Sequence, residues 1–213
     1  MSVLALDIEV FAGRLRALGA LVIHSPSGVV SAYDDVSQRC RAKLSPLVVP
    51  LAPILAQGHD PAREGPWPLD DRSDVCPCSP PCLAVFAGKR QHSAITIHSK
   101  DIISDDGTEV HNILQNEHCQ VVLITGVALN LCVMERSFGV RQMVRLGYDV
   151  TVCSDLVDVA YNPRRYPYVS CEQAILLTLK HIARYWCGVK SSSEILAVLA
   201  ANGQNSASTS NPT

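Results

Sequence analysis

The chain has 213 residues and a mass of 23.0 kDa, long enough for one domain with a well-buried core. Hydrophobic residues make up 47% and charged residues 18%, with a formal net charge of -2 and both signs interspersed. That balance excludes the disordered and fibrous classes and gives nucleic acid or an acidic membrane no electrostatic footing as partner.

No apolar run approaches the roughly 18 to 20 residues that span a bilayer. The opening Met1-Ser2-Val3-Leu4-Ala5-Leu6-Asp7 lacks the basic region and small-residue cleavage site of a signal peptide. Nine cysteines lie at 40, 76, 78, 82, 119, 132, 153, 171 and 187, mostly inside apolar segments. An odd count in such surroundings reads as free thiols in a reducing compartment, so a cytoplasmic protein is expected.

Residues 3–18 are predicted as a helix, because Leu4, Ile8, Phe11, Leu15 and Leu18 share one face and Gly19 stops it. Residues 20–24 are a short apolar run before a Ser-Pro-Ser-Gly turn and read as a buried strand. Residues 33–56 mix helical stretches with Pro46, Pro50 and Pro53. From 57 to 92 the composition turns to Pro, Gly, Asp and Cys. About 36 residues without periodicity exceed an ordinary loop, so this is an active-site flap or a loosely held excursion.

Regular alternation follows. Strands are predicted at 94–98, 120–125 and 148–153, and helices at 108–116, 130–146 and 169–186. A brief extended piece near Gly188 and a helix over 192–199 complete the pattern, ahead of a Ser, Asn and Thr tail expected to be disordered. Strands alternating with such helices predict a three-layer α/β/α domain over residues 1–200, with a mostly parallel, Rossmann-like sheet; 201–213 form the tail.

The chemistry concentrates after the strand Val121-Val122-Leu123-Ile124-Thr125. Gly126 ends it, a short turn follows, and Asn130 is the expected N-cap of the next helix. Cys132 then lies in a first helical turn, where unpaired N–H groups and the helix dipole favour thiolate over thiol. Ligands bind at the carboxyl ends of strands in open α/β sheets, so the position suits a nucleophile. The competing reading is a small core hydrophobe, which is what most cysteines in apolar segments are.

Gly126-Val127-Ala128-Leu129-Asn130-Leu131-Cys132-Val133 resembles the nucleophile turn of the isochorismatase-like cysteine hydrolases, which include nicotinamidases, carbamoylsarcosine amidases and isochorismatases. The likeness runs from Leu15 to Trp186 and is weakest over 57–92. Ile102-Ile103-Ser104-Asp105-Asp106-Gly107-Thr108-Glu109 resembles the family's Gly-Thr stretch, and Arg145-Leu146-Gly147-Tyr148-Asp149-Val150 its helix-to-strand turn. The resemblance implies an Asp–Lys–Cys triad with Cys132 as nucleophile, a cis peptide at Val127–Ala128, and an oxyanion hole from the N–H groups of Ala128 and Cys132. Lys100 matches the lysine with a shift of about one position; an ordinary solvated lysine is the other reading, and Lys89 fits worse. The triad Asp ends a first strand in the family. Here Asp7 lies on the polar side of the first helix, so that central strand is expected to be missing, which would leave two strand edges unpaired.

His24 and the Asn162, Arg164 and Tyr166 segment are candidate pocket residues, since Arg beside aromatics suits a carboxylate or a subunit contact. Cys76, Cys78 and Cys82 lack a partner pair or histidine, so no metal is expected, and no cofactor is expected either. The leading reading is a hydrolase opening a C–N or related bond of a small molecule, working as a homo-oligomer by resemblance. The alternative is a non-catalytic or truncated member of the same fold, kept for binding or assembly.

Overall fold

The computed structural model describes residues 2–47, 54–71 and 90–208. The first helix, α1, covers Ser2–Ala17, and Leu18 and Gly19 close it, Gly19 with φ 85°. Strand β1 (Ile23–His24) follows, then a 3-10 turn (Val30–Tyr33) and helix α2 (Ser37–Leu44) within the stretch where prolines obscure the sequence pattern. Strand β2 is Ile102–Ile103 and helix α3 is Gly107–Asn116. Strand β3 (Val121–Val127), a π-type turn (Leu129–Val133), helix α4 (Val140–Arg145) and strand β4 (Asp149–Asp158) come next. Helix α5 (Cys171–Tyr185), strand β5 (Gly188–Lys190) and helix α6 (Ser192–Ser208) end the order.

This is the three-layer α/β/α architecture with parallel strands. Strand side chains alternate between faces. Val122, Ile124, Val150 and Val152 join Val110, Leu114, Met143, Leu179 and Ile182 in one core, beneath α3, α4 and α5. Leu123, Cys153 and Leu156 meet Phe11, Leu15 and Ile195 in the other, beneath α1 and α6. No helix among the described residues is long and apolar enough to cross a membrane.

Several expectations are corrected. Residues 94–98 form no strand: Ile95 N–H turns back to His92 O, and the β pairing falls instead on Ile102 and Ile103 beside β1. The helix predicted over 130–146 is divided: at Gly139 the chain turns between the π turn and α4, so close to the carbonyls of Val133 and Arg136 that a Cβ there would collide with them. Residues 202–208 continue α6 where composition predicts disorder; a helix already nucleated extends at low cost even through poor formers. The candidate metal thiols Cys76, Cys78 and Cys82, and Lys89, lie outside the described residues.

The strands fall into two parallel sheets, β1-β2 and β3-β4-β5. Among the described residues no β pairing joins β1 to β3, although Ile23 packs against the core that β3 shares. Asp149 N–H donates to Gln120 O, so even-numbered residues of β3 turn their peptide groups to β4. Those of Val121 and Leu123 face the side on which no described strand pairs. Hydrogen exchange should therefore alternate along β3, with the Leu123 amide on the order of a hundredfold faster than Val122 and Ile124. Equal protection measured by NMR would mean that a strand from elsewhere closes this edge in solution.

Candidate active site

Strand β3 breaks register with β4 between Ile124 and Gly126, where Gly126 takes φ 116°, and reaches the carboxyl edge of the sheet at Val127. The Val127–Ala128 peptide is cis. The chain then wraps a single wide turn around one acceptor: Ala128 O receives the N–H groups of Leu131 and Val133 at 3.2 and 3.1 Å. Among the described residues, Ala128 N–H has no acceptor. Cys132 sits on this turn, half-buried, and Leu129, Val133 and Met134 anchor it from below.

Asn130 is not the cap of a helix. Its side chain is buried inside the turn, where Nδ2 donates to Asp71 Oδ2 at 2.9 Å and to Ala160 O at 2.8 Å. Oδ1 accepts from Ala160 N–H at 2.9 Å. Asp71 Oδ2 also accepts from Trp67 Nε1 at 2.9 Å. The nucleophile turn is thus tied both to the end of β4 and to the 54–71 segment. Sequence reasoning missed Asp71 because it lies 59 positions from Asn130 in an aperiodic stretch; the only cue was a carboxylate amid Trp and Leu.

The segment after β2 reaches the same edge. Asp106 caps α3 by accepting from the N–H groups of Thr108 and Glu109, and Gly107 N–H donates to Ser137 Oγ at 2.9 Å, five residues past Cys132. Both sheets therefore point their carboxyl ends this way.

Lys100 does not join them. It precedes β2 and is exposed in a cleft of about 790 Å³ with Ala20, Leu21, Asn116 and Glu117, residues that lead into β1 and β3 at the amino edge. The one-position shift allowed for it presumed a strand at 94–98, and the strand lies after it. Asp7 stays on α1, in a groove with Arg14, Asp155 and Ser192.

His24 is buried scaffold rather than a pocket wall. Its Nε2 meets Asp101 Oδ2 at 2.9 Å and its Nδ1 meets Gln91 Oε1 at 3.2 Å, so both ring nitrogens are engaged. Asp101 also pairs with Arg16 and accepts from His98 N–H. Burial raises its carboxyl, but the hydrogen bonds from Arg16, His24 and His98 outweigh that and hold it below the usual range. Asn162 is buried too and shapes its own turn, accepting from Arg164 N–H and Arg165 N–H. Arg164 and Tyr166 are exposed on the loop that follows β4, and Asp70 N–H to Tyr166 O at 2.9 Å ties that loop beside the 67–71 stretch.

All six described cysteines are free. Burial pushes the Cys153 and Cys187 thiols up to about 12, and raises those of Cys119 and Cys171. These four remain protonated and unreactive at neutral pH. No group of three or more His, Cys, Asp or Glu that could hold a metal occurs among the described residues.

The isochorismatase domain profile matches residues 55–167, and the chain belongs to that family of isochorismatase-like hydrolases. The chain is similar in structure to a cysteine hydrolase from Pseudomonas syringae pv. phaseolicola, with a TM-score of 0.60 at 17% identity over 93% of this chain and 80% of that one. It is also similar to a candidate isochorismatase from Burkholderia xenovorans, with a TM-score of 0.55 at 15% identity over 92% of this chain and 75% of that one. At such identities the likeness speaks for the fold. No curated protein matches the chain.

Proposed function

We propose that the protein is a cysteine hydrolase that opens an amide or related bond of a small molecule through a covalent intermediate on Cys132. The supporting observation is the placement of a half-buried thiol on a one-turn cradle at the carboxyl edge of a parallel sheet, beside the uncommitted N–H of Ala128. In this reading the thiolate attacks the carbonyl carbon, and the N–H groups of Ala128 and Cys132 hold the oxyanion. The C–N bond breaks as the leaving amine takes the proton given up by the thiol. Water then adds to the thioester, its hydroxyl staying with the acid product and its other proton returning to sulfur. Exposed Arg164 and Tyr166 on the adjoining loop suit a substrate carrying a carboxylate. The free thiols support work in a reducing compartment.

A non-catalytic member of the fold is favoured by one observation, the position of Lys100 at the opposite edge of the sheet. Alkylation by iodoacetamide at pH 6 to 7, followed by peptide mass mapping, separates the two. Cys132 should react at least about tenfold faster than any other thiol, and Cys132→Ser should remove the fast phase. Nine uniformly slow thiols would overturn the enzyme and leave the binding role.

A further inference from the structure

The carboxylate of Asp71 has no part in the chemistry above, yet it is nearly sealed from solvent beneath the nucleophile turn. One of its oxygens, Oδ2, accepts two N–H groups, Trp67 Nε1 and Asn130 Nδ2, each at 2.9 Å. Asn130 spends its remaining hydrogen-bonding capacity on both sides of the Ala160 backbone. Its amide plane is therefore fixed by three bonds, and position 71 supplies the acceptor for the one that comes from outside the Ala160 backbone. Asn130 stands two residues before Cys132 and two after Ala128, so whatever fixes it fixes the backbone that carries the thiol and its neighbouring amides.

We propose that Asp71 is a positioning residue for Cys132. Its Oδ2 locks Asn130, and through Trp67 it makes the placement of the nucleophile depend on the packing of the 54–71 segment. The inference rests on the reading of Cys132 as nucleophile. What matters is the acceptor, not the charge. Asp71→Asn keeps an oxygen that both donors can use, whereas Asp71→Ala removes it; the two variants carry the same charge.

The test is the rate of Cys132 alkylation by iodoacetamide at about pH 7, with melting curves recorded alongside. Asp71→Asn should stay within about threefold of the unmodified protein, while Asp71→Ala should be at least about tenfold slower. A purely packing role would lower the melting temperature of Asp71→Ala and leave its Cys132 rate unmoved, and this result would overturn the proposal. Equal slowing in both variants would overturn it too, by assigning the effect to charge. If Asp71→Ala does not fold, Trp67→Phe removes one of the donors that orient the carboxylate and should slow Cys132 in the same sense; an unchanged rate sinks the idea. A slow Cys132 in the unmodified protein is a different failure, which removes the nucleophile itself.

Discussion

Arg141→Met should lower the stability of the fold by about 3–5 kcal/mol, the cost of leaving a buried carboxylate without its partner. The side chains of Arg141 and Glu64 are both fully buried, joined by two bonds, Nε to Oε1 at 2.8 Å and Nη2 to Oε2 at 3.2 Å. Glu64 Oε2 also accepts from His181 Nε2 at 2.6 Å and from Trp186 Nε1 at 2.8 Å, and the guanidinium lies 5.0 Å from the Trp67 ring. Urea unfolding is the measurement, and a loss below about 1 kcal/mol, typical of an exposed pair, would contradict the assignment. Replacing both residues together, Glu64→Leu with Arg141→Met, should cost less than the single change, because no lone charge is then buried.

The same cluster makes the stability of the fold depend on pH in acid. Burial by itself would raise the Glu64 carboxyl. Hydrogen bonds from Arg141, the Asp60 N–H, Trp186 and His181 outweigh burial and hold it at about 2, against an ordinary value of 4.5. Its folded value is depressed, so its stabilising contribution is complete above about pH 4.5 and is lost as pH falls through about 2. Burial also pushes the His181 imidazole down, so the folded state resists its protonation and the sign is the same. Arg141→Met should therefore move the acid unfolding limb to higher pH.

Gly107→Ala should be the costliest of the small substitutions, at about 3 kcal/mol, the upper end for forced overpacking. A Cβ at 107 would overlap the Ser137 carbonyl oxygen and stand 2.6 Å from the Ser137 Cβ. Neither side can yield easily, since the Gly107 N–H is bonded to the same serine's hydroxyl and α3 is capped at Asp106. A natural control is Gly13→Ala within α1, where nothing beyond the helix's own backbone lies within 4 Å of the added carbon. It should stabilise by about 0.5–1 kcal/mol through helix preference. Chemical denaturation of both variants checks the contrast; equal effects would mean that the α3–Ser137 contact is loose in solution.

The Gly107 contact also explains why part of this molecule was legible in its sequence. The Gly-Thr stretch could be recognised as a pattern, but only the approach of Ser137 gives the glycine a physical reason. Helix α5 could be placed from its periodicity, and the structure adds a reciprocal cap between Ser170 and Gln173. Strand β3 was equally plain over 120–125 as an uncharged, mainly apolar run, though it carries on through Gly126 to Val127 after a shift of register. The errors arose where long-range contacts decide. Ala94 to His98 alternates like a strand, yet Thr96 is held by Glu9 and Arg16 from α1, and the neighbouring Asp101 is claimed by His24. A two-residue strand such as β2 is too short for any period to reveal. Within the aperiodic 57–92 stretch, Glu64 and Asp71 are buried anchors of the described part, and their partners lie 77 and 59 positions away. Nothing local announces such pairs.

Strand β3 is built like an interior strand but, among the described residues, pairs on one side alone. Its residues Val121 to Val127 carry no charge, no proline and no lysine to repel a neighbour, and its two ends are 59% and 48% exposed. Proteins usually blunt such an edge, because its free amides and carbonyls template the addition of foreign chain. Among the described residues this flank has nothing of that kind to repel an incoming strand, so association through it is expected to limit solubility before the modest overall charge does.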